Sequence, residues 1–216
     1  MLPQEGDLTA RARIRESALR LFGSGGFGVS IRAIAEDAGV SPGLVIHHFG
    51  TKERLRAAVD EAVIARFRQR FAALPSDLPV EEVARVGGEA FGDVVGASPE
   101  IRQYLRRSLL DGTEASMAVF DDLLEWVQQG LGLLEAGGAL RTSTDPLWRP
   151  FQVLFVTLGS LLFEPVIQRH LDQPAFDADV LQRRSAANYD FVTRGLLAPE
   201  RSARFSPHAP GEARPS

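Results

Sequence analysis

The 216-residue sequence contains no cysteine, so it can form neither disulfide bonds nor a cysteine-based zinc or redox site. Its N-terminal residues lack the apolar segment of a secretory signal. The most apolar stretch, VLFVTLGSLLF at 153–163, is well short of the roughly 18 residues that a membrane-spanning helix needs. These absences favour a cytoplasmic protein without a membrane segment.

Positive charge is also scarce. The net charge is −4, and Lys52 is the single lysine among 24 basic residues. Residues 1–60 hold seven Arg and one Lys against seven acidic residues, whereas the remainder holds sixteen Arg against twenty-one. The first part therefore carries +1 and the second −5, which sum to −4. A near-neutral head on an acidic body fits a small nucleic-acid contact surface confined to one part of the chain.

Sustained alternation of apolar and polar residues, the pattern of a half-buried β-strand, is missing as well. Apolar residues recur instead at helical spacing, first in a stripe that ends at the glycine-rich segment 23–28. Residues that favour helix N-caps follow at Ser30, Ser41 and Thr51. The sequence predicts an all-α fold of about nine helices.

The second half predicts five of these helices, over 79–96, 99–111, 117–134, 146–171 and 174–197. Apolar residues of the third step at intervals of three and four, which predicts a buried seam. The seam comprises Met117, Phe120, Leu124, Val127, Leu131 and Leu134. The proline-rich segment 198–216 is predicted to be a disordered tail.

Two adjacent histidines, His47 and His48, raise the question of a metal or catalytic site. Ligands on one helix face need a spacing of three or four residues, whereas neighbouring side chains point about 100° apart. No nucleophile with an orienting partner is readable nearby. Residues 23–28 match GxGxxG but follow a helix, so they predict a helix stop rather than a dinucleotide loop. No metal or cofactor is expected.

The histidines belong to a helix-turn-helix pattern. A short helix over 30–38, a tight turn at Gly39 and Val40, and a second short helix that opens on Ser41, Pro42 and Gly43 make up the unit. Gly39 stands where the turn needs a positive φ. The small residues that open the second helix would let its backbone approach a phosphate or a base edge closely.

The stretch SIRAIAEDAGVSPGLVIHHFGTKERL at 30–55 resembles the DNA-binding signature of TetR-type (tetracycline-repressor-like) regulators. The detailed resemblance covers about residues 10–60. It implies a homodimeric, ligand-responsive regulator, expected to be a repressor, that binds a palindromic site on double-stranded DNA. By position, it implies DNA-facing roles for Arg32, Ser41, Pro42, Gly43, Leu44, His47, His48 and Lys52.

Two positions depart from that signature. Family members often have Thr at the position of Leu44 and Tyr at that of Ile46, and both hydroxyl groups are missing here. Two candidate contacts to phosphates or bases are therefore lost. The substitution makes Leu44 a candidate contact to a thymine methyl group.

The resemblance also implies a division of the chain. We expect a DNA-binding head at 8–53, a connecting helix at 54–74 and a ligand-binding and dimerisation body at 75–197, followed by the tail. The last two helices are the candidates for dimerisation. Their proposed contact residues are Leu158, Gly159, Ser160, Leu162, Tyr189, Phe191 and Val192.

A small apolar effector is expected to bind among aromatic residues of the central helices: Phe91, Tyr104, Phe120, Trp126, Trp148, Phe151 and Phe155. Aromatic residues at helical spacing are equally typical of a solid core, so both interpretations stay open. Glu164 lies within the apolar segment LLFEPVI, where a charge costs free energy unless it is paired or solvated. It either pairs with an arginine such as Arg102 or Arg107, faces solvent at a Pro165 kink, or reaches a ligand.

Two other classes of protein stay open at this stage. One is an enzyme with an unrecognised site in the acidic body, although no catalytic constellation is readable. The other is a helical adaptor that binds protein alone. An activity screen tests the first alternative, and a pull-down with DNA from upstream of the gene tests the second.

Overall fold

The computed structural model describes residues 5–75, 80–138, 140 and 145–194. These residues form ten α-helices and one 3-10 turn, with no β-strand among them. The helices are α1 Glu5–Gly25, α2 Ile31–Asp37, α3 Pro42–Phe49, α4 Lys52–Ala72, α5 Val80–Ala97, α6 Pro99–Leu110, α7 Glu114–Ala136, α8 Arg149–Leu162, α9 Glu164–Ile167 and α10 Ala178–Arg194. The predicted all-α class is confirmed, and the predicted tail at 198–216 lies outside the described residues.

The three predicted N-caps are confirmed. The hydroxyl oxygens of Ser30, Ser41 and Thr51 each accept a hydrogen bond from the backbone N–H three residues later, at 3.1, 3.2 and 3.2 Å. Each bond satisfies one of the N–H groups that the first turn of a helix leaves without an intrahelical partner. Short-range chemistry therefore fixes where α2, α3 and α4 begin.

The helix predicted over 146–171 is broken in the structure. α8 ends at Leu162, and the following segment, α9 with the 3-10 turn Gln168–His170, is bent away from it by 62°. Pro165 explains the break because proline lacks a backbone N–H and its ring clashes with the preceding helical turn. This break accounts for ten helices where about nine were predicted.

The seam predicted on α7 is confirmed in part, because its residues from Phe120 to Leu134 are half-buried. Met117 is 59% exposed, and the most buried of the described residues of this helix are Val119 and Leu123. Phe120, Leu124 and Val127 are partly buried against the same core. α7 contacts α4, α5, α6 and α8, so its covered face is wider than a single seam and is centred one residue away from the predicted line.

One continuous apolar core runs from the head into the body. It begins around Ile14, Ile34 and Phe49 in the head and continues to Leu105 and Leu158 in the body. α4 contributes a buried residue on each of its turns from Leu55 to Phe67. This helix is therefore packed into the head at its start and into the body at its end.

The head also contacts the body where α1 crosses α6. A side chain at Gly23 would come within 3.1 Å of the backbone nitrogen of Tyr104, so glycine lets the two helices approach. The Arg107 guanidinium donates hydrogen bonds to the carbonyl oxygens of Gly23 at 3.1 Å and Ser24 at 3.3 Å. These bonds satisfy carbonyl groups that the end of α1 leaves free.

A second contact joins α4 to α6. The buried Tyr104 hydroxyl donates a hydrogen bond to the Asp60 carboxylate at 2.6 Å. Burial raises the pKa of the Asp60 carboxyl above its usual range, while the Tyr104 hydrogen bond and the Arg56 charge oppose that rise. Arg56 itself binds Asp111 at 2.9 Å and lies 3.5 Å from the centre of the Phe27 ring. Helices α1, α4 and α6 therefore meet in one hydrogen-bonded junction.

Candidate DNA-binding surface and effector cavity

The turn between α2 and α3 holds the two helices at a fixed angle. Gly39 has a φ of 64°, a conformation that costs other residues free energy. The backbone N–H of Val40 donates to the carbonyl oxygen of Ala35 at 2.9 Å, which closes the turn. Val45 and Phe49 are buried on the inner face of α3. The outer face of α3 is thereby directed away from the head.

The outer face of α3 carries small side chains at the N-terminus of the helix and larger, mostly apolar side chains further along. Ser41, Pro42 and Gly43 are exposed at the N-terminus of α3, and His47 is exposed near its end. Leu44 is half-buried. The exposed Arg32 lies in the first turn of α2, and the half-buried Lys52 is the first residue of α4. The two basic residues therefore lie on the helices that precede and follow α3.

The two adjacent histidines have different surroundings. Their ring centroids are 5.5 Å apart with an angle of 65° between the rings. The half-buried His48 ring lies 6.2 Å from that of Phe49, while His47 projects into solvent. Within the described parts of the chain, no group of three His, Asp or Glu residues could hold a metal ion.

Sequence reasoning did not assign Ile46 to the DNA-facing set. Ile46 is 48% exposed on α3, the one large apolar residue of the described head that is exposed. Its position could have indicated a DNA-facing role, because members of the TetR-type family often have tyrosine there. An exposed aliphatic side chain on this face can contact a thymine methyl group in the major groove.

The body holds a partly open cavity of about 190 Å³ between α5, α7, α8 and α10. Its wall is mostly apolar. The lining includes Phe71, Phe91, Leu123, Trp126, Val127, Leu131, Leu134, Val153, Leu154 and Val192, with Arg85, Thr157, Arg184, Ser185, Asn188 and Tyr189 as the polar contributions. A concave, largely apolar site with a few polar groups is typical of small-molecule binding.

Of the seven aromatic residues predicted for the pocket, the structure brings Phe91 and Trp126 to the cavity. Tyr104 is fully buried instead at the junction with Asp60. The other four form a row along α7 and α8, with ring centroids 5.8–6.4 Å apart: Phe120, Trp148, Phe151 and Phe155. Trp148 and Phe155 are more than half exposed, since Leu154 and Thr157 rather than these rings face the cavity.

The residues predicted for dimerisation also divide between two faces. Leu158 is buried in the core, and Tyr189 lines the cavity. Gly159 and Leu162 are half-buried, and Phe191 is 47% exposed. The exposed apolar residues of these last helices are Trp148, Phe155, Phe163, Val166, Phe191 and Val192. The helices were predicted from their apolar content, but the phase of each helix could not be read from it.

Sequence reasoning missed the glycines that leave room for the cavity. Gly87, Gly88 and Gly92 of α5 and Gly130 of α7 line it. A Cβ atom added at Gly87, Gly88 or Gly130 would meet no other atom within 4 Å. Glycine inside a helix is unfavourable by roughly 0.5–1 kcal/mol relative to alanine. The unfavourable glycines within these two apolar helices could therefore have indicated a cavity from the sequence.

Glu164 forms salt bridges, the first of the three alternatives considered for it. Its carboxylate lies 3.4 Å from the Arg102 guanidinium and 3.0 Å from that of Arg106. Arg106 thus takes the place that was expected for Arg107, which binds the end of α1 instead. This carboxylate therefore links α6 to the start of α9.

Length and apolar composition do not make any single helix of the described residues a candidate to cross a membrane. The bent pair of α8 with the segment 164–170 meets those two criteria jointly.

A helix-turn-helix head on a helical body with a cavity defines a class of DNA-binding regulators. Two family descriptions match the chain: bacterial regulatory proteins of the tetR family over residues 14–59, and the tetracyclin repressor-like C-terminal domain over residues 98–198. A regulator of Mycobacterium tuberculosis, the HTH-type transcriptional regulatory protein RaaS, is 36% identical over 198 residues, which are 90% of each chain. The chain therefore belongs to the tetR family of transcriptional regulators.

Solved structures agree with this fold. A TetR-like transcriptional regulator from Rhodococcus sp. RHA1 superposes with a TM-score of 0.70 at 20% identity, over 90% of this chain and 98% of that one. The regulator FadR of Bacillus subtilis, solved in complex with stearoyl-CoA, gives 0.72 at 12% identity, over 86% and 99%. At these identities, the likeness concerns the fold alone.

Proposed function

We propose that this regulator is a homodimeric repressor that binds a palindromic operator and is released from it by a small apolar effector. The observation that carries the DNA-binding half is α3, whose outer face exposes small residues at its start and Ile46 and His47 further along. An exposed helix of this kind enters the major groove and contacts base edges. Acting on chromosomal DNA, the protein would be located in the cytoplasm.

The proposed DNA contacts divide by chemistry. Lys52 and Arg32 are cationic and flank α3, so we assign them to phosphates, together with the N-terminus of α3 at Ser41, Pro42 and Gly43. Leu44, Ile46 and His47 are assigned to base edges. His48 is assigned to a phosphate on the family resemblance alone, because its ring is half-buried and its Nε2 atom is covered.

The exposed apolar face of the last helices supports dimerisation. Trp148 at the N-cap of α8, Phe155 of α8 and Phe191 of α10 are each between 47% and 54% exposed. Trp148 and Phe155 both lie next to the Phe151 ring, and a cluster of exposed large apolar side chains is typical of a surface that another protein covers. A second copy of the chain, related by a two-fold axis, would place two heads for successive half-sites about 34–36 Å apart or at a multiple of that distance.

The cavity supports the effector half of the proposal. Its volume of about 190 Å³ is below the roughly 300–1,000 Å³ of sites for drug-sized ligands, which favours a small or slender effector. The solved neighbour that binds stearoyl-CoA has a related fold, and it supports a ligand-responsive body without naming the effector of this chain. An effector releases DNA only if it binds one arrangement of the two heads better than the other.

A combined measurement tests this function. Purified protein is sedimented alone and with a labelled duplex from upstream of its own gene. We expect a dimer that shifts this duplex and not an unrelated duplex of equal length. A purely monomeric protein that shifts neither duplex contradicts the proposal and favours an adaptor.

A further inference from the structure

Arg184 is one of the two arginines that line the mostly apolar cavity. It lies on α10, beside the polar lining residues Ser185 and Asn188. A guanidinium carries five N–H donors. Within the described residues, Arg184 makes one hydrogen bond, to the carbonyl oxygen of Ala175 at 3.4 Å. Its other N–H donors have no hydrogen-bond partner among the described residues.

The charges around Arg184 are not balanced. Glu164 is shared between Arg102 at 3.4 Å and Arg106 at 3.0 Å. The guanidinium groups of Arg102 and Arg184 lie 4.5 and 4.7 Å from the centre of the same Phe176 ring. Two arginines thus share one carboxylate, whereas Arg184, beside the same Phe176 ring as Arg102, has no acidic side chain within salt-bridge distance among the described residues.

Burial lowers the pKa of the Arg184 guanidinium, the nearby Arg102 charge lowers it further, and Glu164 opposes them. Arginine remains charged under such conditions. A partly buried charge with a like-charged neighbour is stabilised by any anion that reaches it. This site therefore favours a negative group at the Arg184 end of the cavity.

Arg85, the other arginine of the cavity wall, provides a contrast. Its guanidinium binds Glu89 at 2.7 Å and also forms a salt bridge with Glu82. Its charge is already compensated by side chains of its own helix. Of the two arginines, Arg184 is thus the one whose charge is left for a ligand.

Building on the proposed function, we propose that the effector is an apolar carboxylic acid whose carboxylate binds Arg184 while its apolar part lies against Phe91 and Trp126. The planar fork of a guanidinium matches a carboxylate in a two-point hydrogen-bonded pair. The apolar wall supplies the hydrophobic part of the affinity. A volume of about 190 Å³ suits a short or slender body better than a bulky phosphorylated head group.

Tryptophan fluorescence tests this assignment directly. Trp126 lines the cavity, and Trp148 is exposed outside it, so comparing the wild type with Trp126→Phe shows which part of a fluorescence change comes from the cavity. The wild-type protein is titrated with straight-chain acids of six to twelve carbons and with the matching alcohols and alkyl phosphates. We expect acids to bind about ten- to a hundredfold more tightly than alcohols of equal length, the factor of a charge-assisted hydrogen bond.

Variants separate Arg184 from general charge. Arg184→Met should remove the preference for acids over alcohols and leave alcohol binding within about twofold. Arg183→Met, at the exposed neighbouring position, is the matched control and should keep the preference. Circular dichroism and thermal unfolding check that both variants fold, and the comparison of acids with alcohols in the parent protein needs no Arg184 variant.

Four results would overturn the proposal: equal binding of acids and alcohols, tighter binding of alkyl phosphates than of acids, an Arg184→Met variant that still prefers acids, or no binding across the whole series. Operator binding by the ligand-free protein is measured separately. Its loss would contradict the proposed regulator and leave the ligand preference untouched. Normal operator binding without any preference for acids would contradict this inference alone.

Discussion

At the scale of single residues, Lys52 and His47 differ in what they can contact on DNA. Lys52 starts α4 beside α3, so we expect it to neutralise a phosphate. Lys52→Ala should weaken binding to all sequences alike and reduce the slope of log affinity against log salt by about one. His47 is exposed on α3, so His47→Ala should change which bases are preferred. Binding titrations on a panel of operator variants at several salt concentrations measure both effects.

Arg68→Ala is the control for a general loss of charge on α4. This arginine is exposed and paired with Glu61, four turns from Lys52. The Arg68→Ala substitution should leave operator affinity unchanged. The roles are reversed if Lys52→Ala changes the preferred sequence while His47→Ala lowers affinity for every sequence equally.

The turn of the helix-turn-helix requires a left-handed backbone conformation at Gly39, which costs free energy for any residue with a side chain. Its φ of 64° costs a residue with a Cβ atom roughly 1–2 kcal/mol. Gly39→Ala should lower the free energy of unfolding by about that amount, measured by urea denaturation. Gly28→Ala is the matched control because it has open space and a φ outside the left-handed region. Equal effects of the two substitutions would show that the turn does not depend on this conformation.

At the scale of helices, the junction between α4 and α6 depends on Tyr104 and Asp60. Tyr104→Phe removes a 2.6 Å hydrogen bond to a carboxylate, and bonds to charged groups contribute about 1.5–3 kcal/mol. We expect a loss of that order in the free energy of unfolding at neutral pH. Chemical denaturation of the wild type and the variant measures it.

The pH dependence of this loss has a definite sign. The pKa of Asp60 is raised in the folded state, chiefly by burial, so its ionisation lowers stability as the pH rises through the folded pKa. The Tyr104 hydrogen bond stabilises the ionised form, so its removal should cost more above that pKa than below it. A loss that is the same at pH 4 and pH 8 would contradict this role of the bond.

The cavity depends on glycines of α5 and α7, and a side chain can fill it. Gly130 lines the cavity, and a Cβ atom there meets nothing within 4 Å. Gly130→Leu should raise helix stability by up to about 1 kcal/mol and abolish release of the operator by the effector. Thermal unfolding and operator titrations with effector measure the two effects.

Gly132→Leu is the matched control on the same helix. Gly132 is exposed, lies outside the cavity lining and has the same open space at its Cβ position. It should leave the effector response intact. A Gly130→Leu protein that responds to effector like the wild type would show that the effector binds elsewhere.

How far the sequence predicts these elements depends on the range of the interactions. The caps at Ser30, Ser41 and Thr51 act within three residues, and all three were predicted correctly. The buried face of α7 depends on four neighbouring helices, and the predicted seam was confirmed only in part, since Met117 is exposed. Interactions between residues close in sequence can be predicted from the sequence. Which face of a body helix is buried depends on partners that are distant in sequence.

The candidate sites follow the same division. The residues of α3 belong to one short motif, so their shared outer face could be predicted, apart from Ile46. The cavity is made by α5, α7, α8 and α10 together. Two of the seven predicted aromatic residues, Phe91 and Trp126, line it. The glycines and Arg184 that also line it come from separate helices and had no common motif to indicate them.

At the scale of the whole molecule, the exposed aromatic face of α8 is expected to join two copies. Phe155 is 54% exposed there, and Phe155→Glu would place a charge in the proposed apolar interface. We expect this variant to sediment as a folded monomer and to lose most of its operator affinity. Leu133→Glu, at a 62% exposed position on α7, is the control and should remain dimeric. A dimeric Phe155→Glu protein would place the interface elsewhere.

Induction requires the body to bias the spacing of the two heads. α4 is packed into the head through Leu55 and into the body through Phe67, and Phe67 lies 5.8 Å from Trp126 of the cavity wall. An effector that displaces this wall can therefore tilt α4. Couplings of this kind are typically 1–3 kcal/mol, so we expect saturating effector to weaken operator binding by about five- to 150-fold.

The most direct measurement is a titration of the purified protein into a fluorescent duplex from upstream of its own gene, followed by anisotropy and sedimentation. We expect two chains to bind each site, with an affinity that falls steeply with salt and exceeds that for an unrelated duplex by about a thousandfold or more. Equal affinity for both duplexes, or binding by a single chain, would contradict a dimeric operator-binding regulator.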